Sequence, residues 1–169
     1  KLIPKKFLNV TKLGFINIHA SLLPKWRGAA PIQRAIMNRD QMTGVSIMKI
    51  VEKLDSGPIM SFKELRIDSE KTSGEIEQIL SEMGANLLIG SINKIKNNEA
   101  KFTEQKDLDA TYAKKIEKKE AKINWNLDAE QVVAQIHSLN PNPGAWFEYN
   151  GERFKVWKAK KTMPNGEPS

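Results

Sequence analysis

Residues 14–20, G-F-I-N-I-H-A, have the composition of a short buried strand, and within them Asn17 and His19 stand two positions apart. Side chains two apart on a strand point the same way, so an amide and an imidazole share one face. Phe15, Ile16 and Ile18 supply apolar bulk around them. The run then breaks into a loop over residues 21–28, punctuated by Ser21, Pro24 and Gly28. A fold for this chain must therefore bury a strand while leaving two polar groups at the mouth of a loop.

The pattern that follows alternates strand and helix. Residues 30–38 predict a helix with Pro31 tolerated in its first turn and Ile32, Ala35 and Ile36 at helical spacing. Residues 44–51 and 58–67 predict strands, joined by a turn over residues 52–57 that contains Asp55 and Gly57. Thr72 and Glu75 have capping-box spacing, and Ile76, Ile79, Leu80, Met83, Leu87 and Leu88 continue as an amphipathic stripe. Composition shifts after Asn97, and residues 101–122, rich in Lys, Glu and Asp, read as a segment crossing between domains. Asp128 caps a further helix with Val132, Val133, Ile136 and Leu139 on its buried face, stopped by Asn140-Pro-Asn-Pro-Gly144. Asn150-Gly151 is a hairpin turn whose two-residue loop sets Phe147 opposite Phe154 and Glu148 opposite Arg153. The expected division is residues 1–97, a linker over 98–123 and a further domain over 124–169. The chain opens at Lys1 without an initiator Met and ends shortly after a hairpin, and reads as an internal stretch of a longer enzyme.

Composition excludes several classes. With no Cys there is neither a disulfide framework nor a thiolate metal site, which suits a reducing, cytoplasmic compartment. His19 and His137 are the two histidines and neither sits in a His-Glu-x-x-His arrangement, so no metal is expected. No apolar run approaches the ~18 residues of a membrane span. The net charge of +7 is concentrated in residues 1–40, where Lys1, Lys5, Lys6, Lys12, Lys25, Arg27, Arg34 and Arg39 face one acid, Asp40. Such a segment attracts a polyanion, although a solvated basic face has the same composition.

Asn17, His19 and Asp55 together can polarise a carbonyl, move a proton and orient the base, which is what acyl transfer needs. Singly they are ordinary: a histidine near an apolar strand is usually structural, and Asp-Ser-Gly is a common turn. Ser21 lacks the Gly-x-Ser-x-Gly elbow of a nucleophile.

The combined string is more specific. Asn17-Ile-His19-Ala-Ser-Leu-Leu-Pro24-Lys-Trp-Arg27-Gly28-Ala-Ala-Pro31-Ile-Gln33, with Thr43-Gly-Val-Ser-Ile-Met48 and Leu54-Asp55-Ser-Gly57-Pro-Ile59, resembles the 10-formyltetrahydrofolate-dependent formyltransferases. Tyr112-Ala-Lys-Lys-Ile116, Glu120-Ala-Lys-Ile-Asn-Trp125, Asn140-Pro-Asn-Pro-Gly-Ala-Trp146 and Phe154-Lys-Val-Trp157 extend the likeness over residues 2–160. The resemblance implies an α/β fold: the C-terminal half of a doubly wound, Rossmann-like catalytic domain, a linker, and the start of an OB-like β-barrel. It implies that Asn17, His19 and Asp55 are catalytic and that Ser21, Leu22, Leu23, Pro24 and Gly57 border the folate. Lys25, Trp26 and Arg27 are then candidates for the folate glutamate tail or a tRNA phosphate. The implied formyl donor is 10-formyltetrahydrofolate, used without a metal. Within the family the likeness is strongest to the branch whose acceptor is initiator methionyl-tRNA, which implies a monomer when full length. An amino-sugar nucleotide is the rival acceptor, a formylfolate hydrolase or dehydrogenase domain a lesser one. A non-enzymatic RNA-binding module is disfavoured, because no aromatic-interleaved platform is evident.

Overall fold

The computed structural model describes residues 4–162 apart from 9, 12 and 13. Lys1 and Lys12 of the basic segment, and residues 163–169 of the expected final domain, lie outside the described residues.

The strand pattern folds into a three-stranded sheet in the order β1 (Ile16–His19), β3 (Met42–Lys49), β4 (Ile59–Arg66), with both neighbouring pairs antiparallel. A short β2 (Arg27–Gly28) lies between β1 and β3 in the chain. Central β3 is buried from Thr43 to Met48, without the half-exposed alternation of a one-sided sheet, because both its faces are covered. On one face lies α2 (Ser73–Lys96), whose Gly84 meets Ile18 of β1 and Val45 of β3 so closely that a Cβ there would stand 2.9 Å from Ile18 Cγ2. On the other lies the loop over residues 21–28. Ser46 Oγ donates to the Ser21 carbonyl at 2.7 Å and accepts from the Leu23 N–H at 3.2 Å. Asn17 pairs with Met48 and His19 with Ser46, so both share this loop-covered face, opposite α2.

The expected helices form with their caps. α1 (Pro31–Met37) begins with Pro31 at its first position and buries Ile32, Ala35 and Ile36. α2 has the full Thr72–Glu75 capping box. Its buried residues are Ser73, Ile76, Leu80, Gly84 and Ser91. Of the predicted stripe, Ile79, Met83, Leu87 and Leu88 are only half-buried. Small residues, invisible to a hydrophobicity pattern, set how near α2 approaches the sheet. α1 and α2 enclose a core of Ile32, Ile36, Ile76 and Leu80; each such side chain contributes ~1.5–3 kcal/mol on full burial.

A second core lies beyond α1. α3 (Ala129–Ser138), capped by Asp128 and Gln131, packs Val132, Ile136 and the following Leu139 against Ala121, Ile123 and Ala145. Val133 is half-buried, and the adjacent buried positions are Ala134 and His137. His137 donates from Nδ1 to the Ser69 carbonyl at 2.9 Å and accepts the Ala159 N–H at Nε2, so this histidine is structural. Strands β6 (Ala145–Tyr149) and β7 (Glu152–Val156) form a two-stranded antiparallel sheet in the expected register. Asn150 and Gly151 both have positive φ, +50° and +79°, as a type I′ turn demands.

Polar contacts join the cores. The carbonyl of Asn140 accepts from Gly74 N at 3.0 Å and Ser73 Oγ at 2.6 Å, so the loop after α3 completes the cap of α2. Arg34 of α1 grips the Glu120 carboxylate with two nitrogens at 2.6 and 3.0 Å, and also donates to the Lys114 and Lys115 carbonyls. The hydrogen bond from Arg34 holds the Glu120 carboxyl below its ordinary pKa, despite the opposing effect of burial. A carboxylate whose pKa is lowered by folding stabilises above its unfolded value and ceases to do so as pH falls through the folded one. Glu120→Gln in the full-length protein is therefore expected to cost about 1 kcal/mol in urea denaturation at neutral pH. That difference should shrink as pH drops below the ordinary carboxylate range.

Candidate active site

β1 delivers Asn17 and His19 to the loop-covered face, and His19 is buried with 6% of its surface exposed. Its Nε2 lies 2.9 Å from the Trp26 carbonyl, which can only accept, so Nε2 carries a proton and the ring is fixed by the loop. Nδ1 then faces Asp55 Oδ2 at 3.7 Å, beyond hydrogen-bond length. The carboxylate is positioned to stabilise a proton arriving on that nitrogen. Asp55 is itself held, because Oδ2 accepts the Gly28 N–H at 2.9 Å. Its backbone sits in the left-handed region, φ +45°, which costs a non-glycine residue of order 1–3 kcal/mol and persists only where neighbours enforce it. The Asn17 side chain makes no hydrogen bond among the described residues. Its amide N–H groups are available to a ligand oxygen.

His19 and Asp55 thus approach each other, with Asn17 on the same face of β1, and the candidate binding residues divide. Lys25 is exposed. Leu23 turns inward, whereas Leu22 and Pro24 stay half-buried, Leu22 lying over Gly44. Ser21 is fully buried and donates to the Lys25 carbonyl at 2.6 Å, closing the loop on itself. Trp26 has φ +60° and sends its indole N–H to Asp40 Oδ2 at 2.7 Å, which directs the ring toward the end of α1. Arg27 departs furthest from expectation. Its side chain is 0% exposed and bonds to Gln105 and Asp107, so it cannot reach a folate tail or a phosphate. Gly57 also serves the fold: a Cβ there would stand 1.9 Å from the Lys49 carbonyl oxygen, so the chain's own backbone makes a close approach at this residue.

Sequence reasoning missed Gln105 and Asp107, which lie in the stretch read as a crossing segment. That stretch returns to the site. Thr103 bridges to Ile59, and β5 (Tyr112–Ala113) pairs in parallel with Arg27 and Gly28. Thr111 accepts the Trp26 N–H at Oγ1 and the Arg27 N–H at its carbonyl. Asp107 also takes Lys53 Nζ at 2.5 Å, and these two cations hold its carboxyl below the ordinary pKa, Lys53 contributing more. The sole sequence signal was the likeness of residues 112–116 to a family motif. A separate cleft of about 550 Å³ lies between α1, α3 and residues 67–71, away from Asn17, His19 and Asp55. Among the described residues no cluster of His, Asp or Glu could hold a metal ion, and no helix is long and apolar enough to cross a membrane.

An amide and an imidazole share one face of β1, and a carboxylate stands beside the imidazole. The chain belongs to the formyl transferase family: residues 1–92 match the family described as Formyl transferase and residues 115–168 its C-terminal domain. It is similar to the methionyl-tRNA formyltransferase of Pelagibacter ubique, with 48% identity across 99% of this chain and 54% of that protein. Among solved structures it is similar in fold to a 4-N formyltransferase from Francisella tularensis, with TM-score 0.81 and 22% identity over 96% of this chain and 68% of that one. It is also similar to WlaRD, a sugar 3N-formyl transferase solved in the presence of dTDP and 5-N-formyl-THF, with TM-score 0.72 and 24% identity over 87% and 54% of the two chains. The chain spans about half the length of the curated relatives it matches.

The backbone collision at Gly57 yields a direct test. Gly57→Ala is expected to destabilise the full-length protein by ~3 kcal/mol or more, read as a lower urea midpoint. Equal midpoints for the two proteins would contradict the close packing of residue 57 on β3.

Proposed function

We propose that this chain carries the chemical centre of a methionyl-tRNA formyltransferase, moving the formyl group of 10-formyltetrahydrofolate to the α-amine of initiator methionyl-tRNA. The observation that carries the reading is the unpartnered Asn17 amide beside an imidazole whose second nitrogen faces Asp55 at 3.7 Å. The neutral amine attacks the formyl carbon, and the carbonyl oxygen gains charge as the tetrahedral intermediate forms. Asn17 donates to that oxygen. The amine's proton moves to His19 Nδ1, where Asp55 stabilises the imidazolium while the Trp26 carbonyl keeps the ring in place. As the carbon–nitrogen bond to the folate breaks, the departing nitrogen takes that proton. The products are formyl-methionyl-tRNA and tetrahydrofolate, so one N–C bond is exchanged for another without oxidant or metal.

Support for the tRNA acceptor over an amino sugar comes from 48% identity to the Pelagibacter protein and from the Ala29-Ala30-Pro31-Ile32-Gln33 run. The basic character of residues 1–40 agrees with a polyanionic partner, with Lys25 exposed and Arg27 withdrawn. Leu22 and Pro24 are the apolar contacts we assign to the folate. The same reading makes the full-length protein a cytoplasmic monomer acting in translation initiation.

Two measurements on the full-length protein check it. Label from formyl-folate should pass to initiator methionyl-tRNA and not to an amino-sugar nucleotide. Asn17→Ala should lower kcat by ~10²–10³-fold, the usual cost of one oxyanion donor; a variant keeping more than about a tenth of the turnover would remove Asn17 from that role.

A further inference from the structure

Gln105 stands on the segment between α2 and β5, and both ends of its amide are in use. Nε2 donates to the carbonyls of Asp55 at 2.9 Å and Gly57 at 2.7 Å. Oε1 accepts from Arg27 Nε at 3.0 Å and Nη2 at 2.8 Å. A primary amide offers two donors and two lone pairs, and here all four are matched. A glutamate could accept from Arg27 but could not donate to the two carbonyls; a lysine could do only the reverse.

What these bonds hold is the geometry of His19 and Asp55. The loop carrying Arg27 supplies the carbonyl that fixes His19, from Trp26, and the N–H that fixes the Asp55 carboxylate, from Gly28. The turn carrying Asp55 is kept in its left-handed conformation by Gly28 on the carboxylate and Gln105 on the carbonyl. Without Gln105, the Asp55 backbone is free to leave that strained region and take its carboxylate away from His19 Nδ1. Arg27 would be left buried with Asp107 as its one remaining side-chain partner.

We propose that Gln105 is a positioning residue of the formyl-transfer site, setting the spacing between the Asp55 turn and the loop that orients His19. The proposal rests on the formyl-transfer reading above, and its test separates the two. In the full-length protein, Gln105→Leu and Gln105→Glu are each expected to lower kcat tenfold or more while KM for 10-formyltetrahydrofolate changes less than threefold. The glutamate variant keeps acceptors for Arg27 and serves where the leucine variant fails to fold. Because the effect runs through Asp55, it should nearly vanish in an Asp55→Asn background, where either Gln105 substitution should cost less than threefold more. The ring ¹⁵N resonances of His19 should also move in the Gln105 variants at fixed pH. A kcat within twofold of wild type overturns the proposal. So does a loss that multiplies in full on Asp55→Asn, since that is a general effect on packing. If the wild-type protein transfers no formyl group, the functional reading fails instead, and the His19 resonances alone decide: unmoved, they overturn the positioning role; moved, they sustain it.

Discussion

A guanidinium sealed from water cannot remain charged without partners, and the one on Arg27 organises the region around it. Removing an ion of this size from solvent costs several kcal/mol even after relaxation. Gln105 and Asp107 meet that demand from nearly eighty positions away along the chain. Satisfying one buried charge therefore draws a polar, lysine- and glutamate-rich segment across the molecule and docks it as the parallel partner of the Arg27–Gly28 strand. The loop that fixes His19 is consequently braced from both sides, by β3 through Ser46 and by the returning segment through Thr111 and Ala113.

The sheet divides labour between its faces. Val45, Ile18 and Gly84 of α2 form a close apolar contact on one side, while the hydrogen-bonded Ser46 and His19 lie on the other with Asn17. A short edge strand carrying reactive groups needs this arrangement, because residue alternation sends every second side chain into one environment or the other. α1 joins this unit to the second core: Ile32 and Ile36 face α2, Met37 reaches the cluster around α3, and Arg34 holds Glu120.

What could be read from the sequence is local. The shared face of Asn17 and His19, the capping boxes at Thr72 and Asp128, Pro31 at the start of α1 and the Phe147–Phe154 pairing all depend on spacings of a few residues. Gln105, Asp107 and the burial of Arg27 depend on contacts between distant segments, and a charged residue in a basic loop looks the same whether its partner is solvent or a remote amide. Gly57 is ambiguous in the same way. Its small size serves the crossing over Lys49, although a site for a flat ligand would ask for the same residue type. The buried face of α2 was partly hidden for another reason, since Gly84 contacts through smallness and Ser91 through a hydroxyl hydrogen bond to Ser61, neither through hydrophobicity.

Trp26, Arg27 and Gly28 each answer to a different partner: a carbonyl for the imidazole, a guanidinium for Gln105 and Asp107, an amide for Asp55. Three successive residues tethered in three directions leave no slack in the tripeptide. An inserted or deleted residue would put every later group out of phase with its tether. Length is thus a quantity that this stretch cannot relax.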